Sequence, residues 1–406
     1  MVERLDAPQP TFPLPPLVEI PDEEEDRAKE GKLLTTGFGA AGSVIPAVVF
    51  GAAPFSGFYS SVDQYSGVTP LRATRLALRY GINAFDTSPY YGPSEIILGN
   101  ALKALENEFP RSSYQIFTKV GRYGNTRDGF NYTPEGVRAS IKRSLQRLHT
   151  TYLDTVYVHD VEFIADIKAP RTSGDHRPAL AAEAEAYGLG NGQEAIVYGD
   201  GDREVLAAIS ELQRQQDAGV VKRVGISGYP LPTLLRLGIL VKNTAPYKPL
   251  DVVMSYSHLN LQNRTVVDFK AAFEQRAGVK QVISASPFSM GLLNPAPPVW
   301  HPASDNVKGA VKAAVELCEK SGGTLPDLAL EYAFQKGREV EMPTVVGLST
   351  LKDVHESARV WHAIDKEGLG DGENWKRRVK AVTDLFEEKD GGLLDYSWEN
   401  PKLRSN

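Results

Sequence analysis

Two hydrophobic rhythms alternate along the chain between residues 47 and 349. One consists of short runs dominated by apolar and β-branched residues. These are AVVFGA (47–52), NAFDTS (83–88), QIFTKV (115–120), DTVYVHD (154–160), KRVGISG (222–228), DVVMSYS (251–257), QVISASP (281–287) and PTVVGLS (343–349). They are continuous rather than alternating, as expected of parallel strands covered on both faces. The other rhythm has helical spacing. PLRATRLALRYG (70–81) stops at Gly81, and PSEIILGNALKALENEF (93–109) is amphipathic. TPEGVRASIKRSLQRLHT (133–150) opens with Thr133 as N-cap, Pro134 in the first turn and Glu135 beside it. DREVLAAISELQRQQDAG (202–219) follows the fourth run, and further helical stretches follow each of the later ones.

Eight such strand–helix units predict an α/β fold, a (β/α)₈ TIM barrel. The alternative is a doubly wound sheet. Such a sheet usually carries a glycine-rich nucleotide loop after its first strand, and FGAAPFSGFYS is not a GxGxxG. The barrel is expected over 35–365. Residues 1–34, rich in proline and carrying the acidic run Asp22–Asp26, read as an extension, flexible or draped over the core. Residues 366–406 read as a tail, with a helix to Glu388, that folds back on the barrel. Asp86 to Lys119, Ser227 to Tyr256 and Tyr256 to Ala285 are each one unit apart, but His159 to Ser227 is about twice that. The excess lies in 163–201, polar with scattered Gly and Pro, and reads as an insertion on the active-site face, off the barrel proper.

Composition narrows the class. The 406 residues are 42% hydrophobic and 24% charged, with net charge −6, which fits an ordinary globule without general attraction to nucleic acid or anionic membrane. No apolar run has the length of a membrane span, and MVERLDAPQP lacks the regions of a secretory leader. A cytoplasmic protein is the expectation. Cys318, the single cysteine, sits at helical spacing in VKAAVELCEK and reads as a buried structural thiol. His149, His258, His355 and His362 are scattered without a second ligand at chelating spacing, so no metal site is expected.

Candidate chemistry collects at the ends of successive strands. Asp86 and Tyr91 follow the second, Lys119 ends the third and His159 the fourth, and in a barrel these ends converge on one mouth. A phenol needs help to exchange a proton near neutral pH. A lysine beside it lowers its pKa, an aspartate holds the lysine, and a histidine orients a carbonyl oxygen. Together they form a proton relay to an oxygen whose carbon gains or loses a hydride. The competing reading is a structural Lys119–Asp86 ion pair and a core histidine.

GINAFDTSPYYGPSEIILGNAL, LDTVYVHD and VKRVGISG resemble signatures of the aldo-keto reductases, from about residue 35 to about 365. The resemblance implies Tyr91 as acid/base, Asp86 and Lys119 as its tuning pair, and His159 as the carbonyl-orienting residue. It also implies NAD or NADP bound without a Rossmann motif. Cofactor contacts would fall at Gly51, Ser227, Gly228, Ser255, Ser286, Gly347, Ser349, Asp353 and Glu356, with Ser227 on the nicotinamide carboxamide. Gly228 stands where the family usually has Asn, and Met254 or Ser255 where it usually has Gln. Ala285 replaces a stacking aromatic. These departures, with HDVEF and SASPFSMGLL, resemble the D-arabinose and L-galactose dehydrogenase branch, whose members oxidise the anomeric carbon of a free aldose to a lactone. In NADP-preferring relatives a Lys and an Arg follow strand eight. Anchored on Glu356-Ser357, those positions are Gly347 and Asp353 here, which favours NAD, although Lys352 can still reach a phosphate. The alternatives are an NADPH-dependent aldehyde or pyridoxal reductase, and a cofactor-binding regulatory β-subunit.

Overall fold

The computed structural model describes residues 8–29, 34–59, 61–387 and 392–400. Eight parallel strands close a barrel: β1 (Val48–Gly51), β2 (Ala84–Asp86), β3 (Gln115–Val120), β4 (Thr155–His159), β5 (Val224–Gly228), β6 (Val252–Tyr256), β7 (Gln281–Ala285) and β8 (Thr344–Gly347). Each pairs with its sequence neighbour, and β8 closes the ring on β1 with Gly347 opposite Gly51. The doubly wound alternative is thereby excluded.

Around the barrel run α1 (Thr69–Tyr80), α2 (Ser94–Ala104), α3 (Pro134–Arg147), α4 (Asp200–Asp217), α5 (Leu231–Asn243) and α6 (Val266–Gln275). After them come α7 (Asp305–Lys320), α8 (Leu325–Glu339), α9 (Leu351–Asp365) and α10 (Glu373–Glu387). The local signals hold. Gly81 ends α1 in the left-handed region at φ 85°, and Thr133 Oγ1 accepts the Gly136 N–H at 3.1 Å. The tail helix ends at Glu387, and residue 388 lies outside the described residues. Cys318 is buried on α7. No described helix is long and apolar enough to cross a membrane.

Inward-facing side chains fill the barrel, among them Val49, Phe117, Tyr157, Met254 and Ile283. The plug beneath them is a two-stranded hairpin, Gly37–Phe38 against Ile45–Pro46, that the hydrophobic pattern does not announce. Ile45 is fully buried in the inner cluster, and Val44 O and Ser43 O accept from Gln115 and Arg223 at the strand starts. One end is thus sealed, leaving the strand C-termini as the open mouth.

Two further segments wrap this frame. Asp22, Glu25 and Asp26 meet Arg72, Arg75 and Arg79 on α1, with the Asp26 carboxylate fully buried and 2.7 Å from Arg72 Nη2. The insertion at 163–201 contributes Ala179, Tyr187 and Leu189 to the main core, and Leu189 O accepts from Arg276 at 2.6 Å. It lies outside the barrel strands, but it is packed onto the helices rather than standing free of them. Its Gly174 pairs antiparallel with Ser397. Nearby, Trp398 stacks on Tyr229 with ring centroids 4.8 Å apart.

Candidate active site

The second strand ends in a buried acid because the chain breaks there at Ser88-Pro89 and turns into α2. Asp86 Oδ1 accepts from Lys119 Nζ at 2.6 Å, and both side chains are almost wholly buried. Lys119 gives a second hydrogen bond to Thr87 O at 3.0 Å, and its ammonium lies 4.8 Å from the centroid of the Tyr91 ring. Asp86 Oδ2 is shut off from water with no partner among the described residues.

Ser88 ties the turn to the next strand end. Its carbonyl accepts the Tyr91 N–H and its Oγ accepts the Tyr90 N–H. The same Oγ lies 3.1 Å from His159 Nδ1. The Tyr91 and His159 rings meet edge to face, centroids 5.8 Å apart. Asp86, Tyr91, Lys119 and His159 therefore share one mouth.

Electrostatics sharpen the roles these groups can take. Burial drives the His159 pKa down to about 3, with Asp160 opposing and Lys119 and Arg122 adding to the fall. The imidazole is neutral across the working range. With the Asp160 carboxylate 3.4 Å from Nε2 and Ser88 at Nδ1, the Nε2–H tautomer fits best. Burial, then the negative charges of Asp86 and Asp160, push the Tyr91 phenol well above its ordinary value, with Arg122 opposing. This is the reverse of the lowering expected from Lys119. Burial dominates, and Lys119 offsets little of it, because Asp86 neutralises the ammonium at contact distance and the ammonium faces the ring. The Asp86 carboxyl is itself raised by burial, against the pull of Lys119.

The residues expected to contact a cofactor divide into two groups. Gly51, Ser227, Gly228, Gly347 and Ser349 lie at the ends of β1, β5 and β8 or just beyond. Ser227 sits in register between His159 and Met254, its Oγ buried without a partner among the described residues. A buried hydroxyl left open is what a polar ligand completes, so the mouth fits a nicotinamide group there. Other expected contacts are spent internally. Ser255 Oγ lies 2.9 Å from His258 Nδ1, and Ser286 Oγ accepts the Met290 N–H at 2.9 Å. Asp353 Oδ2 accepts from the N–H groups of Ser349 and Thr350 and from Ser349 Oγ, in a capping box at the start of α9. Oδ2 of this expected ribose acceptor thus serves its own helix terminus. Glu356, one turn on, lies 3.7 Å from Lys352.

Three mouth residues escaped the sequence reading. Arg122, just past β3, pairs with Asp160 and packs 4.0 Å over the Tyr90 ring. Glu162 accepts from the Tyr229 N–H and from Asn400, both at 2.9 Å, through Oε1. Its Oε2 is buried and open, where a Cβ on Gly228 would come within 2.2 Å. The available signal was charge placed directly after a buried strand, in YVHDVEF.

A sealed (β/α)₈ barrel with a buried Asp–Lys pair, a phenol and a neutral imidazole at its mouth defines a class of proton-and-hydride chemistry. The aldo/keto reductase family profile matches residues 47–371. The chain belongs to that family and is a nicotinamide-dependent oxidoreductase. It is 36% identical over 330 residues to a D-arabinose 1-dehydrogenase of Saccharomyces cerevisiae, covering 80% of this chain and 82% of the relative. An L-galactose dehydrogenase of Arabidopsis thaliana is 34% identical over 354 residues, covering 86% and 94%. Among solved structures, an aldo-keto reductase from Bacillus halodurans in its holo form superposes with TM-score 0.57 at 18% identity, over 86% of this chain and 95% of that one.

Proposed function

We propose that the protein oxidises a free aldose, D-arabinose or a related sugar such as L-galactose, at its anomeric carbon to the aldonolactone. Tyr91 serves as the general base. The observation that carries the reading is the meeting of Tyr91 and His159, tied through Ser88, with the Lys119–Asp86 pair beneath the Tyr91 ring at one mouth. The two dehydrogenases above supply the substrate class.

In this reading Tyr91 takes the proton of the anomeric hydroxyl, and the neutral His159 donates its Nε2–H, which makes only a 3.4 Å contact with Asp160, to the oxygen that becomes the lactone carbonyl. Lys119 shields the phenolate from Asp86, and Ser88 keeps phenol and imidazole in one geometry. The nicotinamide ring, when bound, accepts the hydride from C1. Ser227 would hold its carboxamide, and Gly51, Gly228, Gly347 and Ser349 leave room along the rim for the dinucleotide. NAD is the proposed cofactor. After β8 the basic side chain at the start of α9 is Lys352, which already lies 3.7 Å from the Glu356 carboxylate, a poor setting for a dianionic 2′-phosphate. The Lys119–Asp86 pair also speaks against a cofactor-binding subunit without chemistry.

The test is a panel of aldoses with NAD⁺ and NADP⁺, alongside aldehydes with NADPH, followed by nicotinamide absorbance with product identified by NMR. The expected result is aldose-dependent NADH formation with a lactone product. Turnover confined to aldehydes with NADPH would replace this reading with the reductase.

A further inference from the structure

The relay above leaves Asp160 and Arg122 unused, yet they are built with care. Asp160 occupies the left-handed region at φ 52° and ψ 56°, which Asp tolerates better than most L-residues. That turn brings its carboxylate back toward the strand end, where Oδ2 is shared between Arg122 Nη1 and His159 Nε2. Arg122 is fixed in turn. Nε donates to Gly124 O at 3.3 Å, Nη2 donates to Tyr90 OH at 3.1 Å, and the guanidinium packs on the rings of Tyr90, Phe130 and Phe163. With Nε and Nη2 so anchored, Nη1 is aimed at the Asp160 carboxylate. The other oxygen, Asp160 Oδ1, has no hydrogen-bond partner among the described residues.

Resting on the assignment of aldose oxidation, we propose that Asp160 reads the sugar, its Oδ1 accepting a hydrogen bond from the hydroxyl on the carbon next to the one oxidised. The chemistry restricts the choice. Burial alone would raise the Asp160 carboxyl, but His159, then the hydrogen-bonded Arg122 guanidinium and Lys119, hold it below the ordinary carboxylate range. An ionised carboxylate only accepts hydrogen bonds. With C1 between Tyr91 and His159, the nearest other oxygens are the ring oxygen, bonded to C1 itself, and the C2 hydroxyl, one carbon further on. The ring oxygen carries no proton to give. The C2 hydroxyl does, and Asp160 adjoins His159 on the same strand end.

Asp160→Asn tests this. Arg122 holds the amide oxygen, which turns the NH₂ toward the sugar and replaces an acceptor with a donor. The wild type should show a KM about 10-fold or more higher for the 2-deoxy counterpart than for the aldose itself. In Asp160→Asn the aldose KM should rise to meet that of the 2-deoxy sugar, and any change in kcat from the lost charge beside Tyr91 and His159 should be common to both sugars. Reduction of an aldehyde lacking hydroxyls should keep its KM. An unchanged aldose to 2-deoxy KM ratio, whether or not kcat falls on all three substrates, would overturn the proposal and make Asp160 a support for His159 alone. Should the variant fail to fold, a wild type that handles both sugars equally overturns it as well. Absence of any aldose turnover in the wild type would defeat the assigned function and this inference with it, and shows as a zero rate rather than a changed ratio.

Discussion

The Lys119 ammonium faces the Tyr91 ring, 4.8 Å from its centroid, and gives its hydrogen bonds to Asp86 and to Thr87 O instead of to the phenol. The lysine therefore acts on the tyrosine through space, and the aspartate acts against it. Opposite substitutions should move the pH profile in opposite directions. Oxidation requires the phenolate, so kcat/KM rises with pH until Tyr91 has titrated. Removing the cation in Lys119→Met should shift that limb to higher pH as well as slow the reaction. Removing the negative charge in Asp86→Asn should shift it to lower pH, because Asp86 is one of the charges that raise the phenol. Profiles that stay in place in both variants would reduce the pair to a positional role.

Glu162 offers a stability prediction with a definite sign. Burial, reinforced by Asp160, raises its carboxyl to about 8, whereas in the unfolded chain it titrates near pH ~4.3. Between these values the folded state holds a proton that the unfolded state has lost, so stability falls as pH rises from about 4.5 toward 8 and then levels off. Glu162→Gln keeps the shape and the acceptor for Tyr229 and Asn400 without that penalty. Thermal melts should show the variant gaining a few degrees over wild type at pH 8 and nothing at pH 4. A gain independent of pH would contradict the assignment of the shift.

Asp353 lies inside the capping box of α9, so Asp353→Ala should cost about 1 kcal/mol of stability. The ratio of kcat/KM for NAD⁺ over NADP⁺ should then change by less than about threefold, since the carboxylate faces its own helix. Denaturant unfolding and cofactor kinetics on one preparation check both parts. A swing toward NADP⁺ of about tenfold or more would restore Asp353 as a cofactor contact.

The barrel was legible because its strands are covered on both faces, which leaves unbroken apolar runs such as QIFTKV, and β3 falls on those six residues. The strand ends brought Asp86, Tyr91, Lys119 and His159 to one mouth because polar residues after a buried run have nowhere else to point. The plugging hairpin was not legible, as strands of two residues carry no period. The capping role of Asp353 was not foreseen, because an acid three positions into a helix serves its own N-terminus as readily as a ligand. Arg122 and Asp160 lie 38 residues apart and meet only through the closure of β3 on β4. The buried core of the insertion was hidden by its polar composition, since a few residues such as Tyr187 anchor it.

The account stands on one proton leaving through Tyr91 as one hydride leaves C1, and the fate of the C1 hydrogen tests it most directly. D-arabinose deuterated at C1 should be supplied with NAD⁺ to wild type and to Tyr91→Phe, with NADH and product analysed by mass spectrometry and NMR. The account predicts deuterium in the nicotinamide ring equimolar with lactone in the wild type. In Tyr91→Phe the rate should fall at least about a hundredfold while NAD⁺ binding is retained. Lactone formed without deuterium in the cofactor, or a Tyr91→Phe enzyme transferring it at the wild-type rate, would contradict the account.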